Sequence, residues 1–73
     1  MGQENVDIPI PGKIINVQVN PSQKVDEGDI LCILESMKME NPILSPVKGV
    51  VKEVKVEPGQ FVNAGDIAVV IES

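Results

Sequence analysis

VQVNPSQKVDEGDI at residues 17–30 recurs as VKVEPGQFVNAGDI at residues 54–67. Eight of the fourteen paired positions are identical, at a constant offset of 37. The same register extends without a gap to residues 9–36 and 46–73, which share twelve identities over 28 positions. Two generic hairpins with similar turns are the alternative, but self-similarity in one continuous register indicates a structural unit that occurs twice.

Each copy is predicted to be built from β-strands. In the first copy, Val17 and Val19 alternate with polar residues, which is the period of a strand. Turn signals follow at Asn20-Pro21-Ser22 and at Gly28-Asp29. The run Ile30–Leu34 is short and apolar, as in a buried strand. The second copy repeats each signal, and prolines and glycines interrupt every window that could hold a helix, so none is predicted.

The apolar spacing also predicts a bulge in each copy. Ile14 and Val51 each stand three residues before the next core position, where a regular strand has two. One extra residue in a strand produces this spacing. We therefore expect bulges at Ile15-Asn16 and at Lys52-Glu53.

The two copies are expected to pack on one another, because each is too small to bury its own apolar face. The predicted fold is all-β: a flattened barrel or sandwich of two four-stranded antiparallel sheets with an internal pseudo-twofold repeat. The repeat halves are 9–36 and 46–73, with a hairpin tip at 37–45 at one end and both termini at the other. Residues 1–7 are expected to be an N-terminal lead-in, either a native start or part of a longer subunit, and 8–73 the domain.

Composition excludes several functions. The 73 residues have a net charge of −5 and one aromatic side chain, Phe61, which argues against nucleic-acid binding. Without histidine or arginine, general acid–base chemistry would depend on carboxylates and lysines alone. The chain is therefore predicted to be no enzyme by itself and to have no catalytic residues. No metal site is predicted either, since the single cysteine has no histidine to complete a zinc set.

Cys32 is the only cysteine, so it cannot form an intrachain disulfide. A reduced thiol and no signal-peptide pattern lead us to expect a cytoplasmic protein. No apolar run approaches 18 residues, so direct membrane insertion is not expected. The repeat pairs Cys32 with Val69 in a buried run, which predicts a small core residue and not a reactive thiol.

The predicted tip has an unusual composition. It reads Glu35-Ser36-Met37-Lys38-Met39-Glu40-Asn41-Pro42-Ile43. A hairpin turn normally carries Asn, Asp or Gly, whereas here two methionines flank a lysine. From the spacing alone, the methionines either fold back on the barrel end beside an ordinary solvated lysine, or stay exposed for partners to which their flexible side chains adapt.

Glu35-Ser36-Met37-Lys38-Met39 resembles the Glu-Ala-Met-Lys-Met signature of the biotinyl domain, the biotin carboxyl carrier family, with Ser36 in place of the usual alanine. The resemblance covers about residues 8–72. It also includes the flanking segments Pro11-Gly12-Lys13-Ile14, Gly28-Asp29-Ile30-Leu31-Cys32, Ser45-Pro46 and Gly49-Val50-Val51. Serine adds one hydroxyl with little change in bulk, so we expect the modification typical of the family to survive.

The resemblance implies that Lys38 carries biotin in amide linkage, attached by a biotin protein ligase. A biotin carboxylase, using ATP and bicarbonate, would load a carboxyl group, and a carboxyltransferase or decarboxylase site would exchange it with an acceptor. Glu35, Met37 and Met39 are the implied recognition residues. Glu35 has a repeat mate, Glu72, far from the tip, so part of its role is expected to be structural.

Two other functions belong to related folds. A lipoyl-type acyl carrier domain holds its lysine in Asp-Lys-Ala, and neither flank of Lys38 matches. A cofactor-free β-barrel interaction module, such as a hairpin adaptor of a membrane-fusion protein, inserts a long helical hairpin at this tip, and the connection here is far shorter. The sequence leaves the acceptor open, and also the choice between a carboxylase and a decarboxylase system.

Overall fold

The computed structural model describes residues 2–73, which form eight strands and no helix. Nothing in this part of the chain is a helix long and apolar enough to cross a membrane. The strands are β1 Gln3–Asp7, β2 Gly12–Val17, β3 Lys24–Val25, β4 Ile30–Ser36, β5 Met39–Leu44, β6 Gly49–Val54, β7 Phe61–Val62 and β8 Ile67–Glu72.

The strands form two four-stranded sheets, in the orders β1-β8-β6-β3 and β5-β4-β2-β7. Every neighbouring pair is antiparallel. Each sheet contains strands from both halves of the chain, because β3 pairs with β6 and β7 pairs with β2. The predicted all-β sandwich of two four-stranded antiparallel sheets is confirmed.

The pseudo-twofold repeat holds at the level of single residue pairs. Lys13 lies opposite Glu35 where β2 pairs with β4, and their mates Val50 and Glu72 lie opposite each other where β6 pairs with β8. At the same offset, the β4–β5 pair corresponds to the β8–β1 pair. The β2–β7 pair corresponds in the same way to the β6–β3 pair. Both halves therefore have one topology.

Both predicted bulges are confirmed. The register of β2 on β4 shifts between Ile14 and Asn16, and that of β6 on β8 shifts between Val51 and Glu53. The extra residue lets Ile14 and Val51 point into the core, where each is almost completely buried.

The predicted turns are present, and the residues that occur in both halves form them. In the Asn20–Gln23 turn, Pro21 is followed by Ser22 at a φ of 74°, the type II arrangement. The side-chain oxygen of Gln23 accepts a hydrogen bond from the Asn20 amide at 3.0 Å. In the second turn, Gly28 has a φ of 92°, and the Asp29 carboxylate accepts from the Asp26 amide at 2.8 Å. The second half repeats both side-chain hydrogen bonds, from the Glu57 amide to Gln60 and from the Asn63 amide to Asp66.

The core lies between the two sheets. Its largest fully buried side chains are Ile8, Ile14, Leu31, Leu34 and Ile71. Cys32 and its mate Val69 are both completely buried, so the prediction of Cys32 as a core residue is confirmed.

Two predicted boundaries are wrong. Residues 3–7 are not a lead-in, because they form β1, an edge strand paired with β8. The tip does not extend over 37–45 either, because residues 39–44 form β5. Strands β5 and β1 are equivalent at the 37-residue offset, so the two corrections have one cause. Each segment is a strand because a neighbouring strand supplies the partners for its backbone hydrogen bonds. Met1 lies outside the described residues.

The molecule is elongated, with extents of 36 × 19 × 17 Å. The β4–β5 hairpin turn lies at the end where β7 pairs with β2, whereas Gly2 and Ser73 lie at the end where β3 pairs with β6. Gly2 and Ser73 exchange backbone hydrogen bonds of 3.1 and 2.9 Å, and this pair is the mate of Ser36 and Met39 at the hairpin. The predicted position of the tip and the chain ends at opposite ends is confirmed.

Candidate functional site

The tip is a two-residue turn between β4 and β5. Ser36 and Met39 are the last paired residues, so only Met37 and Lys38 lie between the strands. Their φ angles are 53° and 65°, both in the left-handed region. Positive φ at both central residues defines a type I′ turn, which matches the twist of the flanking strands and normally selects Asn-Gly.

The turn projects its side chains into solvent. Met37 is 90% exposed and Met39 is 66% exposed, so they do not fold back on the barrel end. Lys38 between them is also exposed. Within residues 2–73, no hydrogen bond or ion pair engages its amine. The exposure expected in the second interpretation of the tip is confirmed, and contact of the methionines with partners stays a prediction.

The other five lysines have different surroundings. The Nζ of Lys52 donates to Gln3 Oε1 at 3.0 Å, and that of Lys55 lies 3.7 Å from a Glu53 carboxylate oxygen. Lys13 lies in β2, Lys24 in β3 and Lys48 in the connection between β5 and β6. Lys38 alone stands in a hairpin turn between two methionines.

Glu35 is exposed in β4, two residues before the turn. It lies opposite Glu40 of β5 on one side and opposite Lys13 of β2 on the other, while Lys13 lies opposite Phe61 of β7. Like charges directly across a sheet destabilise it slightly, so the pairing of Glu35 with Glu40 adds nothing to the fold. The structure thus brings Glu35, Met37, Lys38 and Met39 together at one end of the molecule.

Phe61 was not singled out from the sequence as a site residue. It is 78% exposed, and the Lys13 Nζ lies 5.7 Å from its ring centroid. The sequence did contain a signal for Phe61. The residue paired with it by the repeat is Lys24, so one half has an aromatic ring where the other half has a charged side chain.

Cys32 belongs to the core below the site and not to its chemistry. Burial in apolar surroundings raises the pKa of its thiol to about 11. The thiolate is the nucleophilic form of cysteine, so the residue is held in its unreactive state.

This arrangement favours covalent attachment over binding in a pocket. An exposed primary amine at the apex of a protruding turn can be surrounded by another active site, and a group in amide linkage to it would remain outside the barrel. The residues present therefore fit an acyl group carried on Lys38. Fold and turn together are suited to a small domain that carries a covalently attached group at its tip.

The comparisons with known proteins agree. A family model described as "Biotin-requiring enzyme", the biotin/lipoyl model, matches residues 4–71. The glutaconyl-CoA decarboxylase subunit gamma of Acidaminococcus fermentans is 54% identical over 43 residues, which are 59% of this chain and 30% of that one. The biotinylated protein TB7.3 of Mycobacterium bovis is 43% identical over 42 residues, 58% of this chain and 59% of that one.

A solved structure supports the same assignment. The urea carboxylase of Kluyveromyces lactis aligns with a TM-score of 0.91 at 26% identity, over 99% of this chain and 6% of that one. The chain thus spans less than a third of the decarboxylase subunit and a small part of the carboxylase. It belongs to the biotin-requiring enzyme family, with biotin as cofactor, and is a biotin carboxyl carrier domain.

Proposed function

We propose that Lys38 carries the biotin and that the chain presents it in turn to a biotin protein ligase, a biotin carboxylase and a carboxyltransferase or decarboxylase site. One observation carries this proposal. Lys38 is exposed at the apex of a two-residue turn, without a side-chain partner in residues 2–73, between two exposed methionines.

Attachment uses the Lys38 amine as the nucleophile. Its neutral Nζ attacks the activated acyl carbon of biotinyl-adenylate and forms the amide bond. The bond between that carbon and the phosphate oxygen breaks, AMP leaves with its electron pair, and the nitrogen releases one proton to the solvent. The turn allows this because a ligase can approach Lys38 from every side except that of the barrel. Met37 and Met39 offer flexible apolar contacts beside the amine, and Glu35 and Glu40 offer two carboxylates below it.

After attachment, the chain contributes by positioning the biotin. Biotin supplies the ureido nitrogen on which a carboxyl group is transferred. Lys38 provides a long flexible stem, and tethering gives effective concentrations on the order of millimolar at a neighbouring active site. The domain itself needs no catalytic residue, and we propose that it is a non-catalytic component.

The relatives support a proposal about the surrounding assembly. Similarity to a glutaconyl-CoA decarboxylase gamma subunit supports a place in a biotin-dependent decarboxylase or carboxylase that acts on an acyl-CoA. A 2-oxo acid is the second acceptor class that we propose. We propose a cytoplasmic location, as expected from the sequence, and a carrier domain that includes residues 8–73. Fractionation of cells with a streptavidin probe tests the location.

Biotinylation of single-lysine variants tests the assignment of Lys38. Wild type incubated with ligase, ATP and biotin is expected to gain the mass of one biotinyl group, and Lys38→Arg none. Lys48→Arg is the matched control, since it changes an exposed connection lysine elsewhere and is expected to react like wild type. A biotinyl mass on Lys38→Arg would show that another lysine is the site. No mass on wild type would refute the carrier function.

A further inference from the structure

The two ends of the molecule differ in one row of exposed side chains, which lie opposite one another across neighbouring strands. At the tip, the row across the outer face of the sheet is Glu40, Glu35, Lys13 and Phe61. At the other end, the mate of Phe61 is Lys24, with the same backbone position in β3. Phe61 is 78% exposed and contributes little to the core, so neither the fold nor the turns explain an aromatic residue there. Its aromatic ring offers a large apolar contact surface beside the turn that carries Lys38.

A shallow groove connects Phe61 with the turn. Its volume is about 360 Å³, and its walls include Lys13, Glu35, Met37, Lys38 and Phe61. Lys38 is one of the residues that line the groove, so a group attached to its side chain starts from a residue of the groove wall. The groove is therefore continuous with the attachment site.

The distance from the turn to Phe61 is within reach of the modified lysine. Strand β7 lies two strands from β4, through β2, which is about 10 Å at the usual strand spacing. A lysine side chain lengthened by the valeryl chain of biotin covers this distance while its end remains at the protein surface.

The chemistry of the groove matches the rings of biotin. The thioether side of the biotin rings is apolar, and contacts between sulfur and an aromatic ring such as that of Phe61 are favourable. Their urea side has a carbonyl oxygen, a hydrogen-bond acceptor, and the Lys13 ammonium beside Phe61 is a donor at the same groove. One wall thus offers an aromatic surface for one side of the ligand and a donor for the other.

We propose that the biotin rings carried by Lys38 rest against the Phe61 side chain in this groove when no partner active site holds them. The inference rests on the proposed function, because it requires biotin on Lys38. A single aromatic contact favours the resting position by about two- to tenfold over the free arm, which is weak enough for partners to displace it. Phe61 is then a resting-site residue, with no part in the transfer chemistry.

Proton NMR of the biotinylated chain tests the proposal. Phe61 is the only aromatic residue and the chain has no histidine, so in D₂O the aromatic region contains its ring protons alone. After intact mass has confirmed biotinylation, we expect nuclear Overhauser contacts between these protons and the biotin ring protons. We also expect an upfield displacement of the biotin resonances relative to free biotin amide, through the ring current.

Two variants complete the design. Phe61→Leu keeps an apolar side chain but removes the ring current, so the upfield displacement should disappear. Lys24→Leu makes a similar change at the mate position and should keep it. If fully biotinylated wild type and Phe61→Leu show the same biotin resonances and no contacts to Phe61 are seen, the resting site is refuted while the carrier function stands. If wild type gains no biotin, the proposed function and this inference both fail.

Discussion

Met37 and Lys38 are held in a backbone conformation that their side chains disfavour. For residues other than glycine, the left-handed region costs about 1–2 kcal/mol each, and both residues lie in it. Asn-Gly would form the same turn at lower cost. Strain that persists at a functional site is explained when the side chains there are needed for another purpose. In the proposed function, the lysine is needed for attachment, and the methionines on either side of it offer apolar contacts.

Exchanging the turn for Asn-Gly should therefore stabilise the protein and abolish its modification. For the double variant Met37→Asn/Lys38→Gly, we expect the free energy of unfolding to rise by about 1–2 kcal/mol. Thermal unfolding measures the gain, and Lys38→Arg, which keeps the strained backbone, should unfold like wild type. A double variant less stable than wild type would mean that the turn residues contribute packing not evident from their exposure.

Cys32 should make stability depend on pH in the alkaline range. The thiol pKa is raised from 9.0 to about 11 in the folded chain. Between these values the unfolded chain releases a proton that the native chain retains, so the free energy of unfolding falls as pH rises. The loss should approach about 2–3 kcal/mol by pH 11 and be absent below pH 8.

The measurement needs a matched variant that lacks the thiol. Cys32→Val reproduces the residue at the mate position, Val69, and should lack the additional loss seen in wild type. Equal pH profiles for the two proteins would contradict the prediction. For the same reason, thiol reagents should label native wild type only at the rate at which it unfolds.

At the scale of the strands, two glycines allow neighbouring backbones to approach closely. A Cβ on Gly12 of β2 would collide with the carbonyl oxygen of Glu35, and a Cβ on Gly49 of β6 would collide with that of Glu72. Backbone cannot move aside as a flexible side chain can, so the strand would have to shift. Gly2 is different, since a Cβ there would lie 3.7 Å from the Ser73 hydroxyl, an ordinary contact.

Gly12→Ala and Gly49→Ala should each lower the free energy of unfolding by about 1–3 kcal/mol, by similar amounts because the sites are mates. Gly2→Ala is the control and should change it little. Denaturant unfolding measures all three. Strongly unequal losses at positions 12 and 49 would show that the two halves do not share one packing arrangement.

The repeat made most of the strands predictable, and the failures have physical causes. The bulges, turns and buried strands were predicted because each leaves its own local pattern. Strand β1 was not, because Val6 is its only buried residue and no apolar period marks it. Its pairing with β8 creates the strand.

At the site, the sequence predicted the residues but not their surroundings. The motif around Lys38 was visible in the sequence, and exposure of its methionines was one of two open interpretations. The type I′ backbone and the row from Glu40 to Phe61 depend on the register of four strands from distant parts of the chain. That register becomes visible only when the sheets are assembled.

For the whole molecule, the interleaved sheets make each half dependent on the other. The first sheet combines β1 and β3 with β6 and β8, and the second combines β2 and β4 with β5 and β7. Fragments 1–37 and 38–73 should therefore be unfolded separately and fold when mixed. Circular dichroism of each fragment and of the equimolar mixture measures this. A β-sheet signal from either monomeric fragment alone would contradict the prediction.

The hydrogen bonds between Gly2 and Ser73 have a topological consequence. They occupy the position that Met39 and Ser36 occupy at the hairpin, so a two-residue linker from Ser73 to Gly2 would close the backbone into a ring with two equivalent hairpins. Opening that ring between Met37 and Lys38 would yield a circular permutant of the same shape. The chain as it stands is this ring with one hairpin cut. Any polypeptide joined to its ends leaves from the cut hairpin, so the intact hairpin with Lys38 faces away from the tether.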